Sequence, residues 1–234
     1  MELFAEGLRR ALALLLAGDP EVLSIAALSL RVAVVATGLA CLVGVPIGFL
    51  VGTTQFWGRR AAITALNTML AFPTVVVGVL VWGLLARSGP FGGAGLLYTW
   101  WAIVLAEVIL AAPIAAALTA AAVQGVDPRV RRTALTLGAG PWLVHWTVAR
   151  EARFALFGAV VVAFGRVIAE VGAAMIVGGN IRHQTRTLTT AVALSTSQGD
   201  FALAIALGLV LLALALTVNV LLHLFQGRGD AGRA

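Results

Sequence analysis

The chain has 234 residues, of which 61% are hydrophobic and only 11% are charged, with 16 basic and 10 acidic side chains. A soluble domain carries about 25% charged residues, so this composition excludes an ordinary water-soluble fold and indicates an all-α integral membrane protein. Every basic residue is an arginine. Without lysine, the chain has neither a nucleotide-binding P-loop nor a Schiff-base site. The single Cys41 lies in an apolar run and has no partner for a disulfide.

The first element is predicted to be an amphipathic helix over residues 1–18 that lies in the membrane interface. Its apolar residues recur at helical spacing, while its charged residues fall elsewhere around the axis. Asp19 and Pro20 end the pattern. Two alternatives stay open. A cleaved signal peptide is disfavoured by the acidic start, and a sixth, inserted span would move the N-terminus to the inside.

A transmembrane permease domain is predicted over residues 22–226, because five apolar segments there are long enough to cross a bilayer. The expected spans are about 23–52, 61–86, 98–123, 154–177 and 201–225. A cytoplasmic loop over 124–151 and a short cytoplasmic tail over 227–234 complete the chain.

The distribution of arginines predicts how the chain is oriented. The loops on one side of the membrane hold nine arginines, and those on the other side hold five. Because the arginine-rich side is usually cytoplasmic, we expect the N-terminus outside, the C-terminus inside and the 124–151 loop in the cytoplasm.

That loop contains the sequence DPRVRRTALTLGAGP, which predicts a short, bounded helix. Asp127 is a good N-cap before Pro128, and Gly138 can take the left-handed position after Leu137. A short exposed helix between two spans can carry force from a soluble partner into the membrane. The simpler alternative is that the arginines only set the topology and the glycines only make a turn.

The loop resembles the coupling loop of ABC-importer permease subunits. Arg132-Thr133-Ala134 and Gly138 correspond to the family's Glu-Ala-Ala, three residues, Gly signature, although the family's Glu is replaced here. The segment Val148-Ala149-Arg150-Glu151 corresponds to the second part of the signature, without its Leu-Pro pair. Residues 151–208 resemble tungstate-type permeases, with molybdate permeases as near relatives.

This resemblance implies a type I ABC-importer permease that translocates an oxyanion, with tungstate as the first candidate and molybdate or another oxyanion as the alternative. It implies a homodimer, two cytoplasmic ABC ATPase subunits that carry ATP and Mg²⁺, and an extracytoplasmic oxyanion-binding protein. The chain itself is expected to bind no cofactor and no metal. The implied ATPase-coupling residues are Asp127, Arg131, Arg132, Thr133, Ala134, Leu137, Gly138 and Gly140.

Charged residues inside the predicted spans are costly, so they should face protein or water. Arg166 and Glu170 are spaced i,i+4 and are expected to pair on one helix face. The pair either locks this helix against its neighbours or places a positive charge along an anion path. Glu107 has no partner at that spacing in its own span, and Arg31 is close enough to a span end to reach the headgroups.

The segment after the fourth span is rich in groups that bind oxyanions, namely glycine amides, threonine hydroxyls and arginines. It is either an ordinary solvated loop or part of an external gate or docking surface. The candidate path or gate residues are Arg166, Glu170, Gly172, Gly178, Gly179, Asn180, Thr185, Arg186 and Thr187.

Two other functional classes, a secondary transporter or channel and a membrane-embedded enzyme, fit the sequence less well than the importer. A secondary transporter or channel usually shows an internal repeat, and no convincing repeat is present. A membrane-embedded enzyme needs clustered catalytic side chains, and the three histidines and ten acidic residues are scattered. The sequence therefore favours a transport subunit that carries out no bond chemistry.

Overall fold

The computed structural model describes residues 8–9, 12–13 and 17–227, with side chains to residue 220. The predicted interfacial helix and cytoplasmic tail lie mostly outside these residues. The described part is all-helical and contains ten α-helices and one short 3₁₀ turn, Gly92–Ala94. The helices are α1 (Pro20–Thr53), α2 (Arg59–Met69), α3 (Thr74–Leu85), α4 (Trp100–Gln124), α5 (Pro128–Thr136), α6 (Pro141–Glu151), α7 (Arg153–Ile168), α8 (Gly172–Gly178), α9 (Leu188–Ser197) and α10 (Phe201–Gly227).

The predicted all-α membrane fold is confirmed, with a difference in how two spans are built. Helices α1, α4 and α10 are each long and apolar enough to cross a membrane. The second and fourth predicted spans are bent pairs: α2 meets α3 at 96°, and α7 meets α8 at 57°. The described residues therefore supply five spans only if each bent pair counts as one.

Proline explains the first break but is not sufficient for a break elsewhere. Pro73 lacks an amide hydrogen and disfavours helical geometry at Phe72, so α2 ends before it and α3 begins after it. Pro46 and Pro113 lie inside α1 and α4, and both helices continue through them. Tertiary packing, rather than local preference, decides which prolines interrupt a span.

Helices α1 and α4 form the centre of the bundle because small residues let their backbones approach closely. The two facing rows are Gly44, Gly48 and Gly52 on α1 and Ala112, Ala116 and Ala120 on α4. A Cβ atom added at Gly48 would lie 2.8 Å from the Cα of Ala116, closer than real Cβ atoms approach other heavy atoms. These glycines are therefore required by the helix spacing.

Tryptophan side chains mark both ends of the spans, as expected for aromatic belts at the membrane interfaces. At one end, the indole of Trp82 donates a hydrogen bond to the Tyr98 hydroxyl at 3.2 Å, and Trp100 stacks on Trp101. At the other end, three tryptophans are exposed: Trp57, Trp142 and Trp146. The guanidinium of Arg31 lies 4.1 Å from the Trp100 ring centroid, so its charge is stabilised by a cation–π contact.

Gly48→Ala should destabilise the bundle by about 1–3 kcal/mol, because the added methyl group overpacks the α1–α4 contact. Gly38→Ala is the matched control on the same helix, since an added Cβ there meets no atom within 4 Å. The control should be neutral or slightly stabilising. Thermal unfolding of the two variants in detergent measures the difference, and equal midpoints would contradict the close-packing interpretation.

Candidate functional site

The DPRVRRTALTLGAGP segment forms the bounded helix that its sequence predicts. The Asp127 carboxylate accepts a hydrogen bond from the Arg129 amide at 2.8 Å and caps the start of α5. Gly138 has a φ of +79°, and the Ala139 amide donates to the Ala134 carbonyl at 3.0 Å. This is the hydrogen-bond pattern that closes a helix at a left-handed glycine. Helix α5 follows α4 after only three residues, so the connection between the two helices is short.

An apolar groove of about 590 Å³ lies between α5 and α6. Its lining includes four of the predicted coupling residues: Thr133, Ala134, Leu137 and Gly138. The Leu137 side chain is 81% exposed although it is apolar. Leu143 also lines the groove and is 53% exposed, so the exposed apolar surface is contiguous, which is typical of a surface that another protein covers.

The other predicted coupling residues lie outside this groove. Asp127 and Arg131 line a separate cavity of about 230 Å³ together with Arg59 and His145, at the ends of α1 and α4. Arg132 and Gly140 are exposed and line neither cavity. The structure thus divides the predicted set between two faces of the α5–α6 hairpin.

The predicted pair of membrane charges is present. Arg166 Nη1 lies 2.7 Å from Glu170 Oε2, and the exposed fractions of the two side chains are 35% and 3%. The second carboxylate oxygen of Glu170 accepts a hydrogen bond from the Ala173 amide at 3.1 Å. Glu170 therefore caps the start of α8 while it neutralises Arg166, and this explains the α7–α8 break in the absence of a proline.

The two interrupted spans meet at their breaks. A Cβ atom added at Gly172, the first residue of α8, would lie 2.9 Å from Val75 and 3.1 Å from the Thr74 hydroxyl at the start of α3. Gly78 likewise packs against the Ala173 backbone. Two half-helix N-termini, which carry partial positive charge, therefore converge beside Arg166 and Glu170.

The predicted threonine donors form hydrogen bonds within the protein. Thr185 is fully buried, and its hydroxyl donates to the Gly178 carbonyl at 2.6 Å. Thr187 forms a capping box with Thr190 at the start of α9. The Thr189 hydroxyl donates to the Glu170 carbonyl at 2.6 Å. These contacts attach α9 to the α7–α8 break.

The predicted glycine turn is equally well packed. Gly178 lies against Ile103, and Gly179, with a φ of +70°, lies against the Tyr98 ring. Asn180 also has a positive φ, of 50°, and its side-chain amide donates to the Thr190 carbonyl at 3.2 Å. A substitution at Gly179 would therefore be strained by its backbone angle and crowded by Tyr98.

Sequence reasoning missed two residues of α1 that hold this region. Glu21 accepts a hydrogen bond from Arg182 Nε at 2.8 Å and lies 3.6 Å from Arg186 Nη1. The Glu21 carboxylate raises the pKa of Arg182, chiefly through this hydrogen bond. The Ser29 hydroxyl accepts from the Leu188 amide at 2.7 Å. No local pattern could reveal contacts between residues about 160 positions apart, although a serine in an apolar span is a weak signal.

Arg166→Ala should lower the stability of the protein by up to about 3 kcal/mol, because it leaves the buried Glu170 carboxylate without its cation. The double variant Arg166→Ala/Glu170→Gln should recover most of this loss, since the glutamine oxygen is neutral and still accepts from the Ala173 amide. Thermal melting of both variants in detergent tests the pair. A double variant as unstable as the single one would contradict it.

Comparison with known proteins identifies the family. The model of the family described as "Binding-protein-dependent transport system inner membrane component" matches residues 44–230. The tungstate uptake system permease protein TupB of Peptoclostridium acidaminophilum is 41% identical over 192 residues, which are 82% of this chain and 84% of the relative. The corresponding protein of Campylobacter jejuni is 39% identical over 187 residues, 80% and 78% of the two chains.

A molybdenum transport permease, ModB of Escherichia coli (strain K12), is more distant, at 30% identity over 182 residues, 74% of this chain and 79% of the relative. Among solved structures, an amino acid ABC transporter superposes with a TM-score of 0.68 at 20% identity, over 92% of this chain and 96% of that chain. The methionine transporter MetNI gives a TM-score of 0.65 at 20% identity, over 87% of this chain and 90% of that chain. The structural likeness supports the fold, and the matches in sequence establish that the chain belongs to the binding-protein-dependent transport system inner membrane component family.

Proposed function

We propose that this chain is the transmembrane permease subunit of an ATP-driven ABC importer that brings an oxyanion into the cytoplasm, with tungstate as the first candidate. The supporting observation is the similarity, at 39–41% identity over about four fifths of the chain, to two tungstate uptake permeases. Molybdate is the second candidate, because a molybdenum permease is also related.

In this proposal, two ATPase subunits that bind ATP and Mg²⁺ lie on the cytoplasmic side, and each binds the α5–α6 groove of one permease copy. The exposed Leu137 and the small residues Ala134 and Gly138 give the groove an apolar floor that a partner can approach closely. Closure of the ATPase pair pulls α5, and α5 pulls α4 because only three residues join them. The inward-open path then becomes outward-open.

The chain is proposed to act as a homodimer that receives the anion from an extracytoplasmic binding protein. Two features favour a second copy beside the first: Arg166 is one-third exposed inside the membrane, and α3 presents exposed valines at its start, Val75, Val76 and Val79. A path between two copies would run past the α3–α8 junction. There the helix N-termini and Arg166 offer positive potential to a dianion.

Uptake into proteoliposomes tests the function. The purified permease, its ATPase and a binding protein are reconstituted, and tungstate, molybdate and sulfate are compared as substrates. ATP-dependent uptake with tungstate preferred supports the proposal. Anion flux driven by an ion gradient through the permease alone would instead support a secondary transporter.

Leu137→Arg should abolish ATP-driven uptake while the protein still folds, because the side chain is 81% exposed and lines the groove. Leu135→Arg is the matched control, since Leu135 lies on the same helix, is 54% exposed and is not part of the groove lining. Co-purification of the ATPase and uptake are measured for both. Wild-type coupling in Leu137→Arg would refute the assignment of the groove.

The orientation can be tested with single cysteines in a Cys41→Ala background. Arg131→Cys should react with an impermeant thiol reagent only from the cytoplasmic side, and Gln184→Cys only from the outside, because both positions are exposed at opposite ends of the spans. Labelling of Arg131→Cys from the outside would make coupling to a cytoplasmic ATPase impossible.

A further inference from the structure

Glu107 is a buried acid that the coupling and transport scheme does not use. It lies in the middle of α4, inside the membrane, and is 3% exposed. It forms no hydrogen bond or ion pair with any of the residues that the structure describes. An ionisable side chain inside a membrane is costly unless it is paired, so its state requires a physical explanation.

Glu107 faces a small polar cavity of about 10 Å³. The cavity lies between α1, α4 and the α7–α8 break, and it has room for one water molecule at most. Its polar lining, besides Glu107, consists of Ser29, Glu170, Thr187 and Thr189.

The polar groups around this cavity already have partners. The two oxygens of the Glu170 carboxylate are bound to Arg166 and to the Ala173 amide. The hydroxyls of Thr189 and Ser29 donate to backbone carbonyls, at 2.6 Å and 2.8 Å. None of these neighbours supplies a positive charge to Glu107.

Other charged or titratable groups on the helices packed against α4 lie elsewhere. Arg31 on α1 is stacked on Trp100. Cys41 lies further along α1 and is half-buried. The remaining cations of these helices, Arg59, Arg60 and Arg153, begin α2 and α7 at the opposite end of the spans. The charged groups nearest to Glu107 are therefore those of the Arg166–Glu170 pair, in which the arginine is already bound to Glu170.

We propose that Glu107 is a proton-binding site: its carboxyl is protonated in this conformation, so that the cluster of Glu107, Arg166 and Glu170 carries no net charge. A neutral carboxyl avoids both the burial of an unpaired anion and the repulsion by the adjacent carboxylate. The two acids differ in role, since Glu170 is paired with Arg166 and Glu107 has no cation of its own.

Protonation of Glu107 also has a consequence for transport, which rests on the proposed function. If Glu107 lost its proton, the cluster would carry one negative charge beside the proposed path of a dianion. Repulsion would then slow uptake. Anion passage therefore requires a neutral side chain at position 107. The Glu107→Gln side chain is neutral at every pH, so this variant should meet the requirement at every pH.

Infrared difference spectroscopy tests the proton directly on the purified complex, without transport. The spectrum of the wild type minus that of Glu107→Gln at neutral pH should show the carbonyl stretch of a protonated carboxylic acid. A carboxylate stretch in its place would overturn the proposal. Glu21→Gln is the control, because Glu21 is paired with Arg182 and should lose only a carboxylate signal.

The second measurement compares uptake by the wild type and by Glu107→Gln from neutral to alkaline pH, so that the pH dependence of the ATPase and binding protein cancels in the ratio. The ratio should be constant at first and then fall about tenfold per pH unit once Glu107 ionises, because each unit changes the fraction of neutral carboxyl tenfold. A constant ratio across the range, with a protonated band present, would refute the effect on transport and leave the proton site standing. Absence of ATP-driven uptake at every pH would refute the proposed function, and the infrared result would still decide the proton site.

Discussion

The carboxylate of Glu170 holds together the interrupted part of the membrane bundle. Backbone and side-chain polar groups within a bilayer must find partners inside the protein, because the lipid offers none. One oxygen of Glu170 pairs with Arg166, the other caps α8, and its backbone carbonyl accepts from Thr189. Glu170 thus pairs with the charge of Arg166 on α7, accepts from the free Ala173 amide of α8 and accepts from the Thr189 hydroxyl of α9. The bend between α7 and α8 is stable because this residue compensates for it.

The remainder of the bundle is organised by close packing. The glycine row of α1 and the alanine row of α4 bring two long helices into backbone contact, and in a membrane such contacts replace the hydrophobic driving force that lipid removes. Helix α4 continues almost directly into α5. The closely packed α1–α4 pair therefore connects the α5–α6 groove to the polar cluster around Glu107 and Glu170, as the proposed ATP-driven mechanism requires.

Several features of the isolated chain point to surfaces that partners cover. Leu137 is apolar and largely exposed at the α5–α6 hairpin. Arg166 keeps a third of its surface accessible within the membrane, next to the exposed start of α3. In the proposed function, the first surface binds the ATPase, and the second faces another copy of the chain across the path of the anion. The geometry therefore agrees with the family assignment without depending on it.

The sequence by itself determined the all-helical membrane fold, the capped helix after Asp127 and the pairing of Arg166 with Glu170, because hydropathy, capping and i,i+4 spacing are local properties. It did not determine which spans break, since Pro73 interrupts a helix whereas Pro113 does not. Nor could it show that Glu21 binds Arg182 or that the Ser29 hydroxyl accepts from the Leu188 amide, because these contacts join residues about 160 positions apart. Only the tertiary structure decides such contacts. The packing of one helix against another sets which polar groups meet and which acid, such as Glu107, has no bonding partner among the described residues.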